Sequence, residues 1–243
     1  MIVSTTAENL ADPDGPLLPF EGRDTDGAPS PEVLESAFEA GRKLNESFMP
    51  YRFAIQEVLT KLQILRDEIS IREQYSPIEH ISDRVKSLDS IVGKLRRRGL
   101  PLSVTSMHEN LTDIAGIRVT CSFIGDTYRM QRLLDAQPDM RTIELKDYIA
   151  EPKPNGYRGL HAIMETPVHL STGSEPVKVE IQFRTIAMDF WASLEHKTFY
   201  KYDRDVPSRL LAELTEAAET ANLLDKRMES IHREIRGAGT TKL

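Results

Sequence analysis

The sequence is poor in cysteine, in positive charge and in long apolar runs, and each absence excludes a class of protein. Cys121 is the only cysteine in 243 residues, so no intrachain disulfide, thiolate metal cluster or CxxC redox pair can form. The net charge of −7 argues against a protein that coats nucleic acids. No apolar run reaches membrane-spanning length, and the amino terminus lacks a signal-peptide pattern. We expect a soluble, unprocessed cytoplasmic protein that binds neither DNA nor a membrane.

The first third of the chain changes character near residue 30. Residues 1–30 are rich in small and polar types without apolar periodicity, which predicts a disordered leader. Residues 31–75 have the helical pattern, and we expect two N-terminal helices that break near Pro50. The apolar face of the second helix is Ile55, Val58, Leu59, Leu62, Leu65 and Ile69.

A basic segment follows, RVKSLDSIVGKLRRR, for which the pattern predicts a helix from Arg84 to Arg98. It carries a local charge of +5 inside an acidic protein: six basic residues, Arg84, Lys86, Lys94, Arg96, Arg97 and Arg98, against Asp89. Such a helix can hold a triphosphate through its ammonium and guanidinium groups. The alternative is a solvated face, which is the usual fate of a charge run on a helix.

Two segments alternate between apolar and polar residues and predict strands. IRVTCSF is typical of a half-buried strand with Arg118 on its polar face. VKVEIQFR places Glu180 and Gln182 on one face. A carboxylate on a rigid strand suits metal binding or proton transfer, and the alternative for Glu180 is a solvated cross-strand partner. Asp113, just before the first strand, is a candidate Mg²⁺ ligand or a turn residue.

The loop AEPKPNGYRGLH presents Tyr157 at the head of a strand that begins near Leu160. Its ring can stack on a base, with Lys153 and Arg158 near for phosphate, or it can cap the edge of the core. His161 and His196 are not spaced as a metal-ligand pair, so we expect structural or phosphate-contacting roles. Trp191 is expected in the core.

The carboxy-terminal part is expected to be helical, with one helix from about Ile186 and a long helix beyond Pro207. The apolar residues of the last helix step by four and three, as in a coiled coil, and this seam is Leu210, Leu214, Ala217, Ala221, Leu224, Met228, Ile231 and Ile235. We expect residues 204–243 to form an oligomerisation helix of a homotetramer. The alternative is that the seam packs on the amino-terminal helices of its own chain. The whole chain is expected to be an α+β protein.

Five blocks in a fixed order together resemble the small alarmone synthetases, single-domain relatives of the Rel/SpoT enzymes, and most resemble the RelQ-type branch. The blocks are RVKS, DIAGIR, KDYIAEPKPNGYRGLH, VEIQFRTIAMDFWASLEHK and FYKYDRDVP. The likeness covers about residues 50–236. It implies a nucleotidyltransferase-like mixed sheet flanked by helices, with residues 76–203 as the catalytic domain. It also implies a GTP pyrophosphokinase of the stringent response, which moves pyrophosphate from ATP to the 3′-hydroxyl of GDP or GTP and forms ppGpp or pppGpp.

The same resemblance implies a role for each matching residue. Arg84 and Arg118 would sandwich the adenine of ATP, and Lys86, Lys94 and Arg97 would hold its phosphates. Asp113 and Glu180 would bind Mg²⁺, the expected cofactor, with Glu180 also accepting the hydroxyl proton. Tyr157 would stack on guanine, while the other acceptor-site positions are Lys146, Lys153, His161 and Gln182.

The chain departs from the family pattern in two respects. No histidine is followed by Asp, so the His-Asp metal site of the bifunctional hydrolases is missing and we expect no alarmone hydrolysis. Asp189 stands where Asn is expected, and residues 80–83 read HISD rather than an aromatic-Val-Thr-Gly type. Because an added carboxylate repels an anion, we expect pppGpp not to activate this protein.

Two other functions stay open from the sequence. The same pocket can serve a pyrophosphokinase with another acceptor, such as an adenine nucleotide or a tRNA end. A non-catalytic regulatory module that binds RNA is the second alternative, and single-stranded RNA is therefore a further candidate partner. Asp113 and Glu180 argue against a pure RNA binder, which has no need of two acidic groups beside bound phosphates.

Overall fold

Helices and strands alternate around one sheet in the computed structural model, which describes residues 31–199 and 207–239. The helices are α1 (Pro31–Glu73), α2 (Leu88–Arg97), α3 (Val104–Asn110), α4 (Ile124–Asp135), α5 (Ile186–Phe199) and α6 (Ser208–Gly239). The strands are β1 (Ile78–Val85), β2 (Ala115–Cys121), β3 (Arg141–Asp147), β4 (Leu160–Leu170) and β5 (Gly173–Thr185). The predicted leader and most of the block FYKYDRDVP lie outside the described residues.

The sheet is mixed, and its strand order is β1-β2-β5-β4-β3. Strands β2 and β5 are parallel, and the other neighbours are antiparallel. This confirms the α+β class and the mixed sheet. The half-buried character predicted for β2 is wrong: apart from Arg118 every residue of the strand is buried, Thr120 included. The strand lies inside the sheet, and α1, α4 and α5 all contact it.

Helix α1 runs through Pro50 without the predicted break. A proline inside a helix removes one backbone hydrogen bond. Buried side chains on both sides of it, Phe48 and Tyr51, belong to the same core as Val58 and Leu62. The apolar face is therefore continuous across the proline, and tertiary packing outweighs the local cost.

The basic segment is not one helix. Arg84 lies on β1, opposite Gly116 of β2, and α2 begins only at Leu88, after the N-cap residue Ser87. Between them the backbone of Lys86 donates to Ile114 O at 2.8 Å. Pairing with β2 thus overrides the helical pattern in this part. The basic residues are divided between a strand and a helix.

Helix α6 packs on the domain through a face that mixes apolar and polar residues, and of its seam Leu214 packs against the cluster of Tyr157 and Trp191. Its buried residues are Ala218, Asn222 and Asp225, and Asp225 accepts a hydrogen bond from Thr185 at the end of β5. The distal seam residues Leu224, Met228, Ile231 and Ile235 are exposed. The alternative in which the seam packs on the amino-terminal helices is therefore wrong for these four.

The contact of α6 with the Tyr157 loop requires glycine at position 156. Gly156 has a φ of +89°, and a Cβ there would lie 2.6 Å from the Cβ of Ala218. Both the backbone conformation and the lack of space exclude a side chain at this position.

Within the described ranges no helix is long and apolar enough to cross a membrane.

Candidate active site

One face of the sheet carries a row of polar side chains from β2 to β3. Each residue of this row is the direct pairing partner of the next one on the neighbouring strand, and the row consists of Arg118, Gln182, His161 and Lys146. Directly opposed residues of neighbouring strands point to the same face. The sheet therefore brings together residues that are far apart in the sequence, such as Arg118 and Gln182, which are 64 positions apart.

A second row lies two residues away along the strands. Here Arg84 pairs with Gly116, and Gly116 pairs with Glu180. Because side chains alternate along a strand, Glu180 shares its face with Gln182. Gly116 has no side chain, and the Arg84 side chain lies over it: a Cβ at this position would be 3.5 Å from Arg84 Cγ. The strand-borne residues predicted for both substrates thus share one surface.

A cavity of about 230 Å³ opens on this surface. It is lined by Ser82, Asp83, Arg84, Gly116, Ile117, Arg118, Glu180 and Gln182. The Nε atom of Arg118 is buried and has no hydrogen-bond partner among the described residues. A buried donor without a partner is costly, and a ligand in the cavity is one way to satisfy it.

Asp113 lies at the entrance to β2 between two ammonium groups. Lys86 Nζ is 2.9 Å from its Oδ2, and Lys94 Nζ is 2.8 Å from its Oδ1. Burial raises the pKa of Asp113, but the two lysines outweigh burial, so the pKa lies below its usual range. The contact at Oδ1 lacks hydrogen-bond geometry, which leaves this buried oxygen without a hydrogen-bond partner. Asp113 is thus an ionised carboxylate whose two oxygens face Lys94 and Lys86.

Glu180 is held by its neighbours on the same face. Gln182 Nε2 donates to its Oε2 at 3.1 Å, and His161 Nδ1 lies 3.5 Å from its Oε1. Burial raises the pKa of Glu180, but the contacts with His161 and Gln182 lower it by more, so the pKa lies below its usual value. The charge of Asp113 acts in the opposite sense on the same carboxyl. Glu180 and Asp113 therefore lie close enough to interact, and both are ionised at neutral pH.

Tyr157 lies at the other end of the site and is more buried than the sequence predicts. Only 9% of it is exposed, in a small cluster with Trp191 and Ala218. Its hydroxyl is 2.6 Å from His161 Nε2, and the Lys153 ammonium lies 4.8 Å from its ring centroid. A base can stack on this ring only if Lys153 moves away. Stacking on guanine stays a prediction.

The family model described as the region found in RelA and SpoT proteins matches residues 83–205. This match covers half of the chain and contains every residue of the surface described above except Ser82. The chain belongs to the RelA/SpoT family.

Three relatives show which branch of the family is similar. The GTP pyrophosphokinase YwaC of Bacillus subtilis is 51% identical over 185 residues, which are 76% of this chain and 88% of that protein. The small alarmone synthetase 1 of Bacillus subtilis bound to its product pppGpp matches at 37% identity with a TM-score of 0.73, over 80% of this chain and 98% of that one. The same synthetase bound to AMPCPP matches at 34% identity with a TM-score of 0.69, over 81% and 99%.

The carboxylates of this RelA/SpoT family member fit the Mg²⁺ that the family implies. In the described residues no group of three or more His, Cys, Asp or Glu side chains can hold a metal ion. Mg²⁺ is commonly bound by one or two carboxylates together with substrate phosphates. Glu180 lines the cavity and Asp113 lies close enough to act on it through its charge, so the two would supply such a pair once a lysine moves off Asp113.

Other predicted residues lie at the margin of the site. Arg97 is exposed, one turn beyond Lys94 on the same side of α2. Lys146 is exposed and pairs with Glu144 at 3.1 Å. Arg158 instead bonds Ile149 O and Glu219 of α6, so its present contacts are structural.

Two residues of the site were missed or misread in the sequence. Arg184 ends the VKVEIQFR alternation and looked like a solvated partner of Lys178, but it is buried and bonds Tyr157 and Gln182. Asp189 is not the uncompensated charge that the sequence suggested. Its Oδ1 lies 3.2 Å from Arg118 and 3.1 Å from Arg184. Because this charge is paired, the repulsion of an anionic effector that we expected from Asp189 is no longer supported. That pppGpp does not activate the protein stays an untested prediction.

A larger cavity of about 360 Å³ lies apart from the predicted substrate residues, between the end of α1, the start of α4 and α6. Its charged groups are largely paired with each other. Arg129 binds Glu73, and Glu229 accepts from Gly125 N at 3.0 Å. The geometry is that of a docking site for α6 within the chain. The smaller cavity, by contrast, is lined by the predicted substrate residues Arg84, Arg118, Glu180 and Gln182.

Proposed function

We propose that this protein is a (p)ppGpp synthetase that transfers pyrophosphate from ATP to the 3′-hydroxyl of GDP or GTP. The observation that carries the proposal is the proximity of Asp113 and Glu180: Glu180 lines the cavity, and the charge of Asp113 acts on it. Lys86 and Lys94 pair with Asp113, and Gln182 and His161 contact Glu180. The similarity to a GTP pyrophosphokinase and to synthetases bound to pppGpp and AMPCPP supports it.

The donor ATP is assigned to the β1, β2 and α2 side. Lys86 and Lys94 supply point charges for its phosphates, and Arg97 is one turn away on α2. Arg84 and Arg118 line the cavity and present guanidinium planes to the adenine. A planar guanidinium stacks on aromatic rings better than an ammonium does. These assignments agree with the family resemblance.

The reaction joins the 3′-oxygen of the acceptor to the β-phosphorus of ATP and breaks the bond from that phosphorus to the oxygen shared with the α-phosphate. AMP leaves with that oxygen. Glu180, which is ionised and partly buried, accepts the proton of the attacking hydroxyl. Asp113 and Glu180 would hold Mg²⁺, whose charge neutralises negative charge that develops on the phosphates.

The acceptor is assigned to the β4, β3 and Tyr157 side. His161, Gln182 and Lys146 lie in one row and face the same side as Glu180. Lys153 and Tyr157 form the end of this region, where the ammonium now lies against the ring. A guanine that displaces Lys153 from the ring would complete the site.

The decisive experiment incubates the purified protein with Mg²⁺, ATP labelled in its γ-phosphate and GDP or GTP, and separates the products. The label is expected in ppGpp or pppGpp, with AMP in equal amount. Glu180→Gln is expected to keep its fold by circular dichroism and to lose roughly 10²- to 10⁴-fold in turnover, the range of general base catalysis. The exposed Glu57→Gln on α1 is the control.

Each outcome of this experiment has a distinct meaning. Near-normal transfer by Glu180→Gln would remove Glu180 from the mechanism. Label in an adenine nucleotide or an RNA end would indicate the alternative acceptors, and nucleotide-independent RNA binding without any transfer would indicate a regulatory module. We expect no loss of ppGpp when it is incubated with the protein, since the proposal is synthetase-only.

We also propose that the protein is a cytoplasmic homotetramer assembled through α6. On this proposal residues 76–203 form the catalytic domain and residues 204–243 the oligomerisation helix. The exposed apolar residues Leu224, Met228, Ile231 and Ile235 on α6, with Phe190 on α5, support it because a lone chain would leave them in water. A monomeric mass in light scattering at micromolar concentration would overturn the tetramer without touching the chemistry.

A further inference from the structure

Arg184 is the most enclosed charged side chain of the site. It lies on β5, two residues after Gln182, and is 6% exposed. Three of its nitrogens donate hydrogen bonds, and all the acceptors belong to the substrate surface. Nε and Nη2 lie 3.1 and 2.8 Å from the Tyr157 hydroxyl, Nη2 lies 2.9 Å from Gln182 Oε1, and Nη1 lies 3.1 Å from Asp189 Oδ1.

These contacts fix the direction of the hydrogen bonds beyond Tyr157. Arg184 has only donors, so the Tyr157 hydroxyl accepts from it and its own proton points to His161 Nε2, 2.6 Å away. His161 Nε2 is then the acceptor, which places the ring proton on Nδ1. That nitrogen lies 3.5 Å from Glu180 Oε1. The chain from Arg184 therefore orients a donor toward Glu180.

The amide of Gln182 is oriented in the same way. Its Oε1 accepts from Arg184, so its Nε2 is the atom that faces Glu180 Oε2 at 3.1 Å. With the amide reversed, the NH2 group of Gln182 would face the donor of Arg184 and its oxygen would face the carboxylate of Glu180, so neither hydrogen bond could form. Both groups that hold Glu180 in place are thus aligned by one guanidinium.

Asp189 provides the counter-charge that makes a buried Arg184 tolerable. One oxygen, Oδ1, lies 3.1 Å from Arg184 and 3.2 Å from Arg118. A buried cation without such a partner would be strongly unfavourable. Asp189 also links the acceptor side, where Arg184 lies, to the cavity lined by Arg118.

We infer that Arg184 is a positioning residue of the acceptor subsite, which sets the geometry of Tyr157, Gln182 and His161 for a guanine nucleotide, with Asp189 as its counter-charge. The inference rests on the proposed function and adds two residues, Arg184 and Asp189, to it. Arg184 itself touches neither the reacting atoms nor the metal ligands and acts through its neighbours.

The test compares steady-state kinetics of Arg184→Lys and Arg184→Gln with the wild type, varying ATP and the guanine nucleotide separately. Lysine keeps the charge beside Asp189 but is a point donor that cannot replace the planar fork. Loss of charged hydrogen bonds worth about 1.5–3 kcal/mol corresponds to roughly a 10- to 100-fold rise in the acceptor KM. The KM for ATP is expected to change much less. Lys178→Gln, on the same strand and face, is the control.

Other outcomes separate this inference from a purely structural role. If Arg184 only stabilises the core, Arg184→Lys will lose active protein, so kcat will fall while both KM values stay unchanged, and the inference is overturned. A wild type that transfers nothing to a guanine nucleotide would instead overturn the proposed function. The ¹⁵N spectrum of His161 gives a readout without turnover: the wild type is expected to carry its proton on Nδ1, and an unchanged spectrum in Arg184→Lys would contradict the chain of contacts.

Discussion

The proposed donor and acceptor halves of the site meet on one sheet face but are built differently. On the donor side Lys86 and Lys94 pair with Asp113, and Arg118 keeps a buried Nε atom without a partner among the described residues. On the acceptor side Tyr157 and Arg184 are hydrogen-bonded into a closed network. The donor half therefore holds charges that a ligand can rearrange, whereas the hydrogen-bonded part of the acceptor half is already formed and only Lys153 must move off the Tyr157 ring.

The chemistry of the side chains explains this difference. An ammonium on a flexible stem can leave Asp113 and follow a phosphate, because lysine has no preferred planar geometry. A buried guanidinium that serves three acceptors cannot move without leaving polar groups unpaired. A triphosphate brings its own charge and can reorganise its site, while the hydroxyl of the acceptor must be placed accurately before it attacks.

The largest effect is expected where the donor half meets the catalytic centre, at Asp113. Asp113→Asn removes a metal-binding charge but frees Lys86 and Lys94 for the phosphates. Turnover is expected to fall roughly 10²- to 10³-fold, which corresponds to several kcal/mol of metal-dependent stabilisation, while the KM for ATP does not rise. Initial rates over a series of ATP and Mg²⁺ concentrations will measure both. A normal rate, with the exposed Asp67→Asn as control, would take Asp113 out of the metal site.

A smaller effect is expected from a cation of the donor half. Lys94→Ala removes one charged contact worth about 1.5–3 kcal/mol, so the KM for ATP is expected to rise about 10- to 100-fold with the acceptor KM nearly unchanged. Arg96→Ala, exposed on the same helix, is the matched control and is expected to behave as the wild type. Equal rises in both KM values for Lys94→Ala would remove the distinction between the halves.

The acceptor half is expected to be sensitive to its support by α6. Gly156→Ala forces a side chain onto a residue with φ of +89° and places its Cβ 2.6 Å from that of Ala218. The free energy of unfolding is expected to fall by about 1–3 kcal/mol, measured by denaturant titration. At Gly99, where φ is +66° and no atom lies within 4 Å of an added Cβ, alanine should cost only the backbone strain of about 1 kcal/mol. Equal losses at both sites would mean that contact with α6 adds nothing.

Sequence patterns locate the charges of the proposed donor half more readily than the buried contacts of the proposed acceptor half, and the two kinds of construction explain why. Donor residues are charges at the ends of elements, such as Asp113 before β2 and Lys94 on α2, and charge runs are visible in one dimension. The network around Arg184 depends on burial across neighbouring strands, which alternation does not reveal. In the sequence Arg184 and Lys178 look alike, yet only Arg184 lies beneath Tyr157.

The same limit accounts for the errors in the fold. The strands with clean alternation and the helices after Ile186 and Pro207 were predicted close to their observed positions. Strand β1 has no regular alternation and exists because it pairs with β2, so the strand was not predicted and its last two residues, Arg84 and Val85, were assigned to a helix. Pro50 is a strong local signal for a break, but the core on both sides of it decides the outcome.

The smallest effect expected concerns Asp225, which joins α6 to the end of β5. Burial raises its pKa, the charge of Glu229 raises it further, and the hydrogen bond from Thr185 only partly opposes this. The folded protein thus binds the proton of Asp225 more tightly than the unfolded chain does. The protonated carboxyl therefore stabilises the fold, and this stabilisation is lost as the pH rises from the usual pKa of 3.8 through the raised pKa of the folded state. Asp225→Asn keeps an oxygen for Thr185 without the charge. Its free energy of unfolding, measured by denaturant titration between pH 4 and 7, is expected to depend less on pH than that of the wild type. A steeper dependence would show that the ionised carboxylate, rather than the hydrogen bond, holds α6 against the acceptor half.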